Sequence, residues 1–143
     1  MNIYTIYVIL AILMILIDSI WIYINSKMYL DVVKNIQNKI PKINIIGVFI
    51  AYIFVLFSLY FVAIPLADGL KKNNLLYTAI MSGGCVGLSI YGIYNFTCFS
   101  LFENYPANVA IIDTLWGGFL YTLIIYIYLI IKKYRFNKNK YSN

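Results

Sequence analysis

LIDSIWIY, running from Leu16 to Tyr23, is apolar in every letter but Asp18 and Ser19. It sits at the end of a longer apolar run, Ile3–Ile24. Roughly 20 consecutive apolar residues span the hydrocarbon core of a bilayer, and this run has that length. Three more qualify: Ile43–Ile64, Leu75–Phe99 and Val109–Ile131. The 143-residue chain is 63% hydrophobic and 11% charged, with mean hydropathy +0.82. A soluble domain of this length keeps too much surface to hide so much apolar side chain. The sequence therefore predicts an all-α integral membrane protein, one domain forming a four-helix up-down bundle. A basic tail, residues 132–143, follows the last helix.

The first run is expected to stay as an anchor and not to act as a signal peptide. Its start, MNIYTIY, carries no side-chain charge, and no small-residue cleavage site follows. The breaks have turn chemistry. Pro41 precedes the second run, Pro65 with Asp68-Gly69 is expected to stop it, and Asn108 is expected to cap the fourth. The connections are short, so neighbouring helices run antiparallel and both termini share a face. That face receives Lys71, Lys72, Lys132, Lys133, Arg135, Lys138 and Lys140; the other receives Lys27, Lys34, Lys39 and Lys42. The positive-inside rule then predicts cytoplasmic termini. The net charge of +6 suits anionic headgroups, and no soluble basic face points to nucleic acid. Expected partners are membrane lipids, with a second copy of the chain or another protein as further candidates.

The first connection has its own period. Tyr29, Val32, Val33, Ile36 and Ile40 recur at helical spacing, opposite Lys27, Asp31, Lys34 and Asn38. Met28–Ile40 is therefore read as a short amphipathic helix, lying in the headgroup plane or resting on the bundle as a connector.

A carboxylate facing lipid costs at least about 3 kcal/mol, so Asp18 is expected to turn inward. A second stretch, Ile112-Asp-Thr-Leu-Trp116, repeats the pattern of Ile17-Asp-Ser-Ile-Trp21. Each sets an aspartate and a tryptophan one turn apart. Heptad stripes gather Tyr4, Tyr7, Ala11, Met14, Asp18, Trp21 and Asn25 in helix one. They gather Gly84, Gly87, Tyr91, Tyr94, Asn95 and Cys98 in helix three, and Asp113, Trp116, Gly117 and Leu120 in helix four. Asp18 lies ~9 Å from the end of its helix and Asp113 ~6 Å from the start of its own, at 1.5 Å per residue. Both depths fall in the half of the bilayer away from the termini. The candidate polar or ligand layer is Asp18, Trp21, Tyr91, Tyr94, Asn95, Thr97, Asp113 and Trp116, with Tyr52 close by depth.

There is no histidine, which removes histidine-based triads and metal sites, and Cys85 and Cys98 fit no zinc spacing. No metal or cofactor is expected, and catalytic residues are not assigned. Gly83 and Gly87, with Ala79 one step earlier, form a small-residue spacing that lets a neighbouring helix approach closely. The Asn95-Phe-Thr97 sequon lies inside a membrane run and is discounted.

Taken together, these pieces resemble a family of small bacterial membrane proteins, domain of unknown function family 2177. Its members carry Leu-Asp-x-x-Trp, Tyr-x-x-Tyr-Asp-Leu-Thr-Asn, Trp-Pro and Val-Asp-x-x-Trp-Gly. The counterparts here are Asp18 with Trp21, the stretch Tyr91–Cys98, Tyr105-Pro106 and Ile112–Gly117; Tyr29 and Pro65 also fit. The chain departs in having Asn95 for the family aspartate, Cys98 for the asparagine and Tyr105 for the tryptophan. The resemblance implies the four-helix architecture and this choice of residues, and no activity. Three readings of the layer are compatible with the sequence: a site for a small cation, amine or lipid headgroup; a structural clamp fixing helix register; or a lipid-modifying enzyme.

Overall fold

The computed structural model describes residues 2–70 and 74–140, with side chains through Arg135. Lys71, Lys72 and the side chains of Lys138 and Lys140 lie outside the described residues. The described chain is helical and holds no strand. Its elements are α1 (Ile3–Ile24), α2 (Ser26–Gln37), α3 (Ile45–Gly69), α4 (Leu75–Leu101) and α5 (Ala107–Lys140). Four of these, α1, α3, α4 and α5 as far as Arg135, are long and apolar enough to cross a membrane.

Local chemistry sets the starts. Asn2, Asn44 and Asn74 cap α1, α3 and α4, each side chain accepting backbone N–H groups of the first turn, at 3.0–3.4 Å. The Asn44 cap starts α3 at Ile45, two residues later than the apolar run begins. The Pro106 carbonyl accepts the N–H groups of Val109 and Ala110 at 3.1 and 3.2 Å. Helix α5 thus begins at Ala107, and Asn108 stands inside its first turn and not at its cap.

Pro65 does not end the second membrane helix. A π-helical turn, Leu59–Ala63, precedes it, and the helix runs on to Gly69. A proline ring clashes with the carbonyl four residues back and lacks an N–H. The residue four back is Phe61, inside the widened turn, where the regular hydrogen-bond ladder is already broken. A second π-helical turn, Ile80–Gly84, packs against the first from α4.

Helix α5 is the spine. Leu120, Tyr121, Ile124 and Ile125 are fully buried in it. Against it α1 turns Ile6, Leu10, Met14 and Asp18. The heptad stripe caught Met14 and Asp18 but missed Ile6 and Leu10, and it included Tyr4, which is exposed. The observed spacing is four residues throughout, an i, i+4 row of the helix surface.

Helix α4 meets α5 through glycine. A Cβ at Gly83 would fall 2.4 Å from the Tyr121 carbonyl oxygen, and one at Gly87 would fall 2.1 Å from that of Gly117. The expected small-residue seam is therefore real, and it packs two helices of one chain. At the terminal end Asp68 of α3 accepts from the Tyr128 hydroxyl at 2.9 Å and from Lys132 Nζ at 2.6 Å, tying α3 to α5.

Helix α2 begins and ends slightly earlier than its periodicity predicts. Asn38, at φ 52°, is left-handed and stops it, so Ile40 falls outside and is exposed. Val32 is buried, Tyr29, Val33 and Ile36 are half-buried, and Lys27, Asp31, Lys34 and Asn38 are exposed. The apolar stripe faces the bundle, as a connector resting on it requires.

Candidate functional site

Helix α5 starts at Ala107, so Asp113 stands six residues in from that end, and Asp18 stands six residues in from Ile24. Both carboxylates thus lie at one depth, ~9 Å along their helices. Both are buried, at 6% and 9% exposure.

The two similar pentapeptides pair crosswise. Trp116 of α5 donates from Nε1 to Asp18 Oδ1 of α1 at 2.9 Å. Trp21 of α1 donates from Nε1 to the Tyr29 hydroxyl at 2.9 Å, and that hydroxyl donates to Asp113 Oδ1 of α5. The two indoles stack face to face, with centroids 4.3 Å apart and planes 6° from parallel. Each tryptophan therefore serves the other helix's aspartate, directly or through Tyr29. No tryptophan–aspartate hydrogen bond forms within either pentapeptide.

Asp18 also accepts from Tyr52 at 3.0 Å on Oδ2 and from Tyr91 at 3.3 Å on Oδ1. Asp113 accepts from Asn95 Nδ2 at 2.7 Å on Oδ2. Asn95 is fully buried; its amide also reaches the Tyr91 carbonyl at 2.9 Å, and its Oδ1 accepts from Tyr105 at 2.6 Å. Proton donation thus runs one way, from Tyr105 to Asn95 to Asp113 and from Trp21 to Tyr29 to Asp113. Both carboxyl groups are placed as acceptors of these bonds. Every donor is neutral. Among the described residues the one ion pair is Asp68 with Lys132, at the other end of the bundle.

Two network tyrosines lie outside the membrane spans. Burial, then the hydrogen bond and charge of Asp113, hold the Tyr29 hydroxyl well above the ordinary tyrosine range. Burial, with Tyr94 beside it, pushes Tyr105 up to about 12. Both are protonated donors throughout the physiological range.

A cavity of about 400 Å³ adjoins the layer. Asp18, Asp113, Tyr29, Tyr52, Tyr91 and Tyr94 line it, with an aliphatic remainder from α1, α3 and α4. Of the eight residues expected in the layer, Asp18, Trp21, Tyr91, Asn95, Asp113 and Trp116 meet in one hydrogen-bonded network. Tyr94 lines the cavity from an exposed position. Thr97 does not join: it is exposed on α4, away from the cavity, because two residues beyond Asn95 the helix has turned to the opposite side.

Tyr29, Tyr52 and Tyr105 belong to the network and were not among the eight. Tyr52 had the right depth. Tyr29 sat on the apolar stripe of α2, and Tyr105 beside Pro106. Their reach into the layer depends on how α2 and the 102–106 connection fold back, which no periodicity reports.

No curated protein and no solved structure matches the chain. A family model described as a predicted membrane protein matches residues 3–129, which takes in α1 through most of α5 and every residue of the network. This chain belongs to that predicted membrane protein family, domain of unknown function 2177.

Proposed function

We propose that the Asp18–Asp113 layer is a binding site for a small ammonium-bearing ligand. The observation that carries the reading is the cavity of about 400 Å³ lined by two carboxylates whose hydrogen-bond partners are all neutral. A carboxylate at membrane depth is stabilised by a countercharge. An ammonium supplies it, and the tyrosine rings offer faces to its alkyl part. The volume is in the range of small-molecule sites.

A second reading, a clamp that fixes helix register, is favoured by one observation. Among the described residues no buried side-chain nitrogen or oxygen lacks a hydrogen-bond partner. A clamp explains the bonds but leaves the cavity and the missing countercharge unexplained. The enzyme reading has no nucleophile–base pair at the site to support it.

Hexylamine tests the site. Added to protein in phosphatidylcholine nanodiscs, it is expected to shift the emission of Trp21 and Trp116, the chain's two tryptophans. Hexanol is expected not to. An Asp18→Asn, Asp113→Asn double variant is expected to lose the response. Equal responses to hexylamine and hexanol overturn the reading without any variant.

The orientation belongs to the same proposal: both termini are cytoplasmic and the layer lies in the outer half of the membrane. The seven-to-four division of basic residues supports it. In a chain freed of Cys85 and Cys98, a cysteine at position 34 is expected to label from outside intact cells and one at position 138 is not. The reverse pattern inverts the topology.

A further inference from the structure

The first half of α3 is built unlike the rest of the bundle. From Ile45 to Phe57 it contains no buried residue, whereas Leu59, Ala63, Ile64 and Ala67 in its second half pack into the core. The exposed half nevertheless forms a wall of the cavity, through Val48, Ala51, Tyr52 and Val55. Helix α4 also lines the cavity, through Ile90, Tyr91 and Tyr94, and α4 takes its main packing from α5. Tyr94 stands at the lip, 64% exposed. Val48, Ala51 and Tyr94 of that lining are exposed and lie within membrane-spanning segments, which sets this side of the cavity against hydrocarbon, whereas Tyr29 reaches the lining from α2, outside the spans.

The cavity therefore holds two buried carboxylates, Asp18 and Asp113, while its α3 and α4 walls, through the residues just named, are aliphatic and aromatic. That combination matches an amphiphile entering head first. About 400 Å³ holds a headgroup and the start of its chains, and not a whole two-chain lipid. We propose that the ligand is a membrane lipid with a primary ammonium headgroup, admitted sideways from the bilayer between α3 and α4. This rests on the ammonium site proposed above. A primary ammonium brings three N–H donors to two carboxylates, whereas a quaternary headgroup brings none.

The same geometry provides for entry. Tyr52 ties the exposed half of α3 to the layer through its hydrogen bond to Asp18. Just below, the π-helical turn Leu59–Ala63 interrupts the regular ladder of α3 and gives the upper half a place to bend. An arriving ammonium takes the place of the Tyr52 hydroxyl on Asp18, and the upper half of α3 yields.

The test is competition. Hexylamine binding is followed by tryptophan emission in nanodiscs of phosphatidylcholine, then in nanodiscs where phosphatidylethanolamine replaces half of it. The apparent dissociation constant for hexylamine is expected to rise about tenfold with phosphatidylethanolamine present. Soluble phosphoethanolamine, added to phosphatidylcholine nanodiscs, is expected not to compete. Hexylamine binding indifferent to phosphatidylethanolamine overturns the lipid inference and leaves the ammonium site standing. Competition by soluble phosphoethanolamine equal to that of the lipid also overturns it, since the ligand then comes from water. Failure of hexylamine to bind in phosphatidylcholine alone removes the underlying site, and this inference with it. None of these arms depends on a variant that must fold.

Discussion

Gly87→Ala is expected to destabilise the protein by about 2–3 kcal/mol, a large loss for one methyl group. The added Cβ would lie 2.1 Å from the Gly117 carbonyl oxygen, a backbone atom that no rotamer change can move. Helix α4 must then withdraw from α5 along the seam, and contacts are lost on both sides of it. Gly69→Ala is the control. A Cβ there meets nothing within 4 Å, and the change is expected to be neutral or to stabilise by up to ~1 kcal/mol through the unfolded chain. Reversible unfolding in mixed micelles measures both, and equal losses would refute the close-approach account. Gly117→Ala carries the effect to the site. Its Cβ would meet the Tyr91 ring at 2.3 Å, which pushes Tyr91 away from Asp18. Stability should fall and the tryptophan emission should change together.

The second large effect is expected at the aspartates. Asp113→Leu takes the acceptor from the Tyr29 hydroxyl and from one N–H of the Asn95 amide, whose other N–H keeps the Tyr91 carbonyl. Asp18→Leu takes the acceptor from Tyr91 and Trp116 and one partner from Tyr52. Each substitution is expected to cost roughly 2–4 kcal/mol, because several half-buried donors lose their acceptor together and a buried donor left unsatisfied costs about 1–3 kcal/mol. The double variant is expected to lose less than the sum by about 1 kcal/mol. The coupling has a visible route. Trp116, bound to Asp18, stacks on Trp21, and Trp21 feeds Tyr29 on Asp113. Strict additivity in the same unfolding assay would show that the two halves of the layer are independent, contrary to the shared network.

Much of this architecture is written in one dimension. Four apolar runs of membrane length leave an α-helix as the way for each to satisfy its backbone in lipid, and short connections then force alternation. The inward turn of Asp18 and Asp113 follows from the cost of a carboxylate in hydrocarbon, and their shared depth from counting residues from helix ends. Gly83 and Gly87 declare a close contact because only small residues permit one. These are properties of a residue and its immediate neighbours along the chain.

What the tertiary structure alone decided are the matters of direction and partner. Pro65 with Asp68-Gly69 reads as a stop; the helix does end at Gly69 but runs through Pro65, which follows a π-helical turn where the regular ladder is interrupted. Tyr29 reads as part of a surface stripe, yet it bonds Asp113, 84 residues away, because α2 folds back over the layer. The crosswise service of Asp18 by Trp116, and of Asp113 by Trp21 through Tyr29, depends on the rotation of α1 against α5. That rotation is set by the packing of Ile6, Leu10 and Met14 on the spine. The exposure of Ile45–Phe57 is likewise invisible in the sequence, since the segment is as apolar as any core helix. A lipid-facing helix and a protein-facing helix bury the same kind of side chain, so hydrophobicity reports that a segment lies in the membrane and not which of its faces meets protein.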